Sequence, residues 1–123
     1  MSSSMLKVLL VEDVEMIQHM VKATLSPLNW QIDIVDTGSD AVSFSVNDEY
    51  DLVLMDIGLP DISGIEATKL IREQKPALPI IALTAHDDPE YRKAAISAGM
   101  NAYIQKPITI EKVQEVFDSF LLS

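Results

Sequence analysis

Acidic residues follow two short apolar runs of the chain, and they are the residues best suited to chemistry. The run at 52–55 ends in Asp56, and the run at 8–11 ends in Glu12 and Asp13. Runs of this length and composition are typical of strands buried on both faces of a parallel sheet. Each carboxylate is therefore predicted where a buried strand ends, which in open α/β sheets is the edge that binds ligands.

Three carboxylates at the ends of neighbouring strands favour a cation site. Adjacent strands lie about 5 Å apart, and burial increases the repulsion between like charges. Protonation or a hard cation relieves that repulsion, and oxygen ligands with no histidine or cysteine nearby suit Mg²⁺ or Mn²⁺. A lone acid could equally be a loop-end residue or a helix cap, and Asp13 could cap the first helix. Three acids at two adjacent strand ends favour the metal.

Two more polar residues follow apolar runs later in the chain. Thr84 ends the run that begins at Ile80, and Lys106 follows the run at 102–105. A threonine there is commonly a capping hydroxyl, and a lysine is commonly a solvated charge. Beside a carboxylate and a metal, however, an ammonium and a hydroxyl together suit the binding of a phosphoryl group. An aspartate can attack phosphorus and form an aspartyl phosphate, which makes Asp56 the candidate nucleophile.

Alternating strands and helices are predicted to position these residues. Strands are expected at 5–11, 30–34, 51–56, 79–84 and 102–105, with helices at 14–27, 37–48, 65–74, 89–99 and from Ile110 onwards. The alternating pattern of the second strand is typical of a position near the sheet edge. The (βα)5 order predicts a doubly wound five-stranded parallel sheet, covered by helices on both faces, with right-handed crossovers.

Composition limits the class of protein. A chain of 123 residues with 48% apolar content fits one domain with a real core, expected over residues 5–123 behind a disordered tail at 1–4. The net charge of −10 argues against direct binding to nucleic acid or an anionic membrane. Cysteine is absent, which excludes disulfides and thiolate metal sites and fits a reducing, cytoplasmic location. No segment is long enough to span a membrane, and none resembles a signal peptide.

Taken together, the motifs resemble the receiver domain of two-component response regulators over nearly the whole chain. The matching pieces are LVED at 10–13, LMD at 54–56, LP at 59–60, Gly64, LTA at 83–85 and YIQKP at 103–107. Each piece alone is weak, but all of them occur in order at the predicted strand ends. The sequence at 55–60 and 98–101 is most similar to receivers attached to hybrid sensor kinases. The resemblance to receiver domains implies that the chain forms a single domain with the flavodoxin-like receiver fold.

The resemblance also implies a role for each residue of the cluster. Asp56 accepts a phosphoryl group from a phosphohistidine of a histidine kinase or histidine phosphotransfer domain. Asp13 and Asp56 bind Mg²⁺ directly, and Glu12, which replaces a commoner Asp, binds it directly or through water. The Gly58 backbone carbonyl adds a ligand. The phosphoryl oxygens are held by Thr84 and Lys106, Ala85 must be small, and the bond between Lys106 and Pro107 is expected to be cis.

A switch and two surfaces follow from the same resemblance. Phosphorylation draws Thr84 inward and Tyr103 follows, which alters a downstream-binding face formed by the fourth helix, fifth strand and fifth helix. That face carries Tyr91, Lys93, Tyr103 and Gln105, and the phosphohistidine partner is expected on the first helix at Met16, Ile17, His19 and Met20. Positions Gly58 and His86, which tune phosphate lifetime, offer no carboxamide or acid to position water. Slow self-dephosphorylation is therefore predicted.

Other functions fit the sequence less well. A phosphohydrolase that works through an aspartyl phosphate usually carries a second aspartate two residues after the nucleophile, where this chain has Gly58. A nucleotide-binding protein would need a glycine-rich phosphate loop, which is missing. A receiver-like scaffold that works without phosphorylation stays open. The domain itself is expected to be a phosphoacceptor rather than a turnover enzyme, although a hybrid-kinase parent would be a histidine kinase.

Overall fold

Five strands and five α-helices alternate along the described part of the chain. The computed structural model describes residues 6–59, 61–85 and 88–122, with only the backbone described for 120–122, so the tail predicted at 1–4 lies outside the described residues. The strands are β1 Lys7–Val11, β2 Gln31–Val35, β3 Leu52–Asp56, β4 Ile80–Thr84 and β5 Ala102–Gln105. The helices are α1 Glu15–Leu25, α2 Gly38–Asn47, α3 Gly64–Gln74, α4 Pro89–Ala98 and α5 Ile110–Leu122.

The strands form one parallel sheet in the order β2-β1-β3-β4-β5, which confirms the predicted doubly wound fold. β2 lies at an edge, as its alternating pattern predicted. In the register of β1 with β3, Val11 pairs with Met55. The next residues along the two strands are Glu12 and Asp56, so the register brings these two acids side by side at the carboxyl edge.

Two hydrophobic layers, one on each face of the sheet, hold it in place. Alternate strand residues point to opposite faces. Thus Leu9 and Val11 join the layer under α2, α3 and α4, whereas Val8 and Leu10 join the layer under α1 and α5. All five residues of both β3 and β4 are buried, as expected for the central strands of a doubly covered sheet. The carboxyl edge of these strands therefore rests on a core fixed from both sides.

Helix ends follow local capping rules in most cases. Thr37, Ser63 and Asp88 accept backbone N–H bonds at the starts of α2, α3 and α4. Gly99 ends α4 with φ of 111°, the left-handed conformation that a glycine cap adopts readily. α1 is different: Val14 is its N-cap residue and provides no side-chain cap, so the alternative that Asp13 caps this helix is wrong.

The described apolar side chains of α5 pack against the sheet to different extents. Val113 is fully buried, and Ile110, Val116 and Phe117 are partly buried. Phe117 meets Trp30 edge to face, with ring centroids 5.6 Å apart. The side chains of Phe120 and Leu121 lie outside the described residues. Among the described helices, none has the length and apolar character needed to cross a bilayer.

Candidate functional site

The three predicted acids meet at the carboxyl edge of the sheet. Each of Glu12, Asp13 and Asp56 offers a carboxylate oxygen, and these oxygens all lie within 4.8 Å of one another. Glu12 is fully buried and Asp56 is nearly so, whereas Asp13 is exposed. The cluster thus has two carboxylates inside the fold and one at the crevice mouth.

Lys106 places its ammonium against the two buried carboxylates. Its Nζ lies 2.9 Å from Glu12 Oε1 and 3.6 Å from Asp56 Oδ2. Its backbone N–H donates to the Thr84 carbonyl oxygen at 2.7 Å, which ties the end of β5 to the end of β4. The following bond to Pro107 is cis, as predicted. With its side chain only 17% exposed, Lys106 is not the solvated charge that an isolated lysine would be.

The loop between β1 and α1 is held by contacts that the sequence did not reveal. Glu12 Oε2 accepts the Val14 backbone N–H at 3.1 Å. The Glu12 backbone carbonyl accepts the Gln18 side-chain amide at 2.6 Å. Gln18 therefore fixes the peptide that joins the two acids, although nothing in its local sequence distinguishes it from an ordinary exposed helical residue.

The loop between β3 and α3 forms the other wall. Asp56 Oδ1 accepts the Gly58 N–H at 3.2 Å, and the Gly64 N–H donates to the Ile57 carbonyl at 2.9 Å. Gly64 is required there, because a side chain would collide with the Asp56 carbonyl oxygen. The crevice between the loops has a volume of about 600 Å³, and its lining includes all three acids, Gly58, Thr84, Ala85 and Lys106.

The two predicted switch residues lie on the same face of adjacent strands. Tyr103 pairs with Ala82, two residues before Thr84 on β4, and strand alternation places Thr84 on the face of Ala82. Thr84 is buried and Tyr103 is partly buried. The Arg92 guanidinium lies 4.9 Å from the Tyr103 ring centroid, a cation–π contact missed in the sequence because Arg92 looked like one of several charges on α4.

Burial shifts the ionisation of Glu12. Desolvation raises the pKa of its carboxyl above the ordinary value, and nearby Asp56 acts in the same direction. Hydrogen bonds from Lys106 and from the Val14 backbone oppose that rise without cancelling it. Ionised Glu12 therefore destabilises the metal-free fold, fully above the raised pKa and not at all below the ordinary one.

Replacement of Glu12 by Gln, a mimic of the protonated acid, should stabilise the metal-free protein at neutral pH. The gain should shrink as the pH falls through the raised pKa of Glu12, because the wild-type residue then becomes neutral as well. Urea unfolding with EDTA at neutral and mildly acidic pH measures both values. Glu115→Gln removes an exposed α5 carboxylate and should show no comparable trend. The prediction is contradicted if the free energy of unfolding gained by Glu12→Gln over wild type is smaller at neutral pH than at acidic pH.

The donor chemistry of the crevice fits a hard divalent cation. Its acidic oxygens converge without a histidine or cysteine in the described cluster, which is the ligand type that Mg²⁺ and Mn²⁺ prefer. A single ammonium cannot neutralise three carboxylates, so negative charge is left over. The site therefore combines two buried carboxylates, a set of oxygens suited to a cation and an ammonium held against them.

Comparisons with known proteins agree with this fold and site. The model of the response regulator receiver domain matches residues 8–118. The probable transcriptional regulatory protein TcrX of Mycobacterium tuberculosis is 37% identical over 86% of this chain and 45% of its own. The autoinducer 2 sensor kinase/phosphatase LuxQ of Vibrio parahaemolyticus is 40% identical over 94% of this chain and 14% of its own. The chain thus spans less than half the length of these relatives.

A solved structure matches almost completely in both directions. It is the receiver domain of a sensor histidine kinase from Pseudomonas aeruginosa PAO1, crystallised with a magnesium ion coordinated in its active-site cleft. That domain is 36% identical, superposes with a TM-score of 0.87, and the match covers 97% of this chain and 99% of that one. With the family model matched over most of its length, this chain belongs to the response regulator receiver domain family.

Proposed function

We propose that Asp56 accepts a phosphoryl group from a phosphohistidine of a partner protein, in a reaction that requires Mg²⁺. The observation that carries this proposal is the convergence of three carboxylates within 4.8 Å, with the Lys106 ammonium bonded to the two buried ones. Such a site has a nucleophile, oxygens for a cation and a positive charge for the incoming group.

Glu12, Asp13 and Asp56 would hold the cation, with the Gly58 carbonyl as a further ligand. Bound there, Mg²⁺ supplies positive charge for the phosphoryl oxygens and for the carboxylates that otherwise repel one another. The magnesium ion in the cleft of the Pseudomonas receiver supports this assignment. Mn²⁺ offers the same preference for oxygen ligands and is expected to substitute.

The side chains around Asp56 perform the transfer. A carboxylate oxygen of Asp56 forms the new bond to phosphorus as the bond from phosphorus to the donor imidazole nitrogen breaks, and the imidazole leaves with that electron pair. Lys106 holds a phosphoryl oxygen by charge, and the Thr84 hydroxyl donates to another. Ala85 lines the crevice with a single methyl group, which leaves room for the transferred group. The barrier is lowered by position and charge.

Phosphorylation is then read out through Thr84 and Tyr103. Their shared face of β4 and β5 gives a direct path by which an inward movement of Thr84 frees space for the Tyr103 ring. Tyr103 also contacts Arg92, so the same movement reaches α4. Tyr91, Lys93 and Gln105 are exposed around it, as a binding surface for a downstream protein requires.

The phosphohistidine partner is proposed to dock on α1. Met16 and Met20 there are 72% and 56% exposed, which is unusual for large apolar side chains without a partner. Beside them an apolar groove of about 310 Å³ runs from Ile17 to Pro107 and Ile108 and reaches Lys106. A partner seated there would bring its phosphohistidine to the crevice mouth. His19 is exposed on the same helix, as predicted.

The acceptor is tested by intact-protein mass after incubation with acetyl phosphate and Mg²⁺. The wild-type chain should gain one phosphoryl group, and Asp56→Asn, which lacks the nucleophilic carboxylate, should gain none. Omission of Mg²⁺ should abolish the wild-type gain as well. Asp51→Asn serves as a matched control, because it removes an aspartate that lies outside the acidic cluster. A phosphoryl gain that persists in Asp56→Asn would place the acceptor elsewhere.

The phosphorylated form should persist for minutes or longer after the donor is removed. Gly58 has no side chain to position an attacking water, and His86, which lies outside the described residues, has no carboxamide or acid. Decay of the phosphorylated mass at neutral pH measures the lifetime. Gly58→Asn, which introduces a carboxamide, should shorten it. A wild-type half-life of seconds would contradict this prediction.

The docking surface is tested by comparing two phosphodonors. The donor is a histidine phosphotransfer domain that phosphorylates the wild type. Met16→Ala combined with Met20→Ala should slow transfer from this domain by about tenfold, a typical loss for apolar anchors. The rate with acetyl phosphate should not change, because a small donor needs no docking surface. Phe44→Ala removes an exposed apolar side chain from α2, on the other face of the sheet, and serves as control. Equal slowing with both donors would show damage to the crevice instead.

A further inference from the structure

Asp61, in the loop between β3 and α3, bonds to the start of a different helix. Its Oδ1 accepts the Gly38 N–H at 2.7 Å and its Oδ2 accepts the Ser39 N–H at 3.0 Å. Both amides belong to the first turn of α2, where backbone donors have no partner within the helix. Charge-assisted bonds of this kind are shorter and stronger than bonds to neutral acceptors.

The electrostatics of this contact agree with its geometry. Hydrogen bonding from Ser39 and from the Gly38 backbone holds the pKa of the Asp61 carboxyl well below its ordinary value. A negative charge at a helix N-terminus is also favourable, because the helix dipole is positive there. Asp61 is therefore ionised and bonded over the whole physiological pH range.

A close approach of the backbone reinforces the contact. A side chain at Gly38 would collide with Ile62, whose carbonyl oxygen would lie only 2.8 Å from the added carbon. The loop thus lies directly against the first turn of α2. α2 has its own cap in Thr37, whose Oγ1 accepts the Asp40 N–H at 3.0 Å, so the helix does not depend on Asp61 alone.

The N-terminal part of the same loop contains Gly58, a proposed metal ligand. The loop closes at its base through the bond from Gly64 to Ile57, and Leu59 donates to the Ile57 carbonyl at 3.2 Å. Gly58 has no side chain, and nothing lies within 4 Å of the position where one would be, so no side-chain packing at Gly58 itself fixes the direction of its carbonyl. The described lining of the crevice includes Gly58 and Ser63, on either side of Asp61, but not Asp61 itself.

We propose that Asp61 is a positioning residue for the cation site: it anchors the loop between β3 and α3 to α2 and so holds the Gly58 carbonyl ready to bind Mg²⁺. This role rests on the function proposed above. Without the anchor, the loop would keep its base and the partial packing of Leu59 and Ile62 but lose its polar attachment to α2. Part of the ordering of the Gly58 carbonyl would then have to occur when the cation binds. Loss of a hydrogen-bond partner of a metal ligand typically changes metal affinity by about 10- to 100-fold. We expect the low end of that range because Asp61 acts through the loop on one backbone ligand.

Two variants separate this role from simple stabilisation of α2. Asp61→Ala removes the anchor, which consists of the two hydrogen bonds to the first turn of α2. Thr37→Ala removes the internal cap of α2 and leaves the loop contact in place, so it should lower the melting temperature without moving Gly58. Asp61→Asn keeps an oxygen acceptor and should retain part of the affinity.

The measurement is Mg²⁺ titration of each folded protein by calorimetry, with amide spectra recorded by NMR before and after Mg²⁺. Asp61→Ala should weaken Mg²⁺ binding about tenfold, and the Gly58 amide signal should shift already in the metal-free protein. Phosphorylation by acetyl phosphate should then need more Mg²⁺ but reach a similar rate at saturation. Thr37→Ala should match the wild type in Mg²⁺ affinity and in the Gly58 signal.

Each contrary result has a distinct meaning. If Asp61→Ala binds Mg²⁺ as tightly as the wild type, or if Thr37→Ala weakens binding equally, the role of Asp61 as a positioning residue is overturned and the proposed function stands. If the wild-type chain binds no Mg²⁺, the proposed function is overturned together with this role.

Discussion

Burial of two carboxylates beside a third is the constraint on which the rest of this structure depends. Glu12 is fully buried next to Asp56, and desolvation raises its pKa, so the fold carries this cluster at a cost in stability. One ammonium, Lys106, offsets part of that cost through a 2.9 Å bond to Glu12. Because Lys106 follows β5 whereas Glu12 follows β1, two strands separated in the sheet by β3 and β4 must be held in register for that bond to form. The contact between Lys106 and Glu12 therefore forms only when the strands of the sheet are arranged in this order.

The sheet alone does not complete the site, because Glu12, Asp13 and Gly58 lie on the loops that follow β1 and β3. Each loop is fixed from outside the crevice by a polar side chain: Gln18 bonds the Glu12 carbonyl, and Asp61 bonds the first turn of α2. Both contacts use groups that would otherwise be unpaired backbone donors or acceptors. Hydrophobic layers on both faces of the sheet give these side chains a rigid frame to act against. Preorganisation of the site thus comes from few and specific polar contacts placed on a well-packed scaffold.

Much of this arrangement could be predicted from the sequence, and the reason is the regularity of parallel sheets. Short apolar runs define the strands, and polar residues directly after them must gather at one edge, which is why Glu12, Asp56 and Lys106 were found without coordinates. The contacts of Gln18, Asp61 and Arg92 could not be predicted. Each depends on the path of a loop or on which of several exposed polar residues meets a particular partner, and sequence spacing does not determine either. The same limit left a capping role for Asp13 open, although three acids at two adjacent strand ends favoured the metal site.

The position of Lys106 is also central to the switch proposed above. Its ammonium is shared unequally, at 2.9 Å from Glu12 and 3.6 Å from Asp56. A phosphoryl group bonded to an Asp56 oxygen would add three acceptor oxygens and more negative charge on that side of Lys106, and the ammonium would move towards Asp56. The Lys106 backbone is bonded to the Thr84 carbonyl, and Tyr103 lies on the same face as Thr84. Only the adjacent ends of β4 and β5 lie between the Lys106 ammonium and the surface of β5 and α4. Coupling of phosphorylation to that surface would therefore need only a local rearrangement of a two-state element.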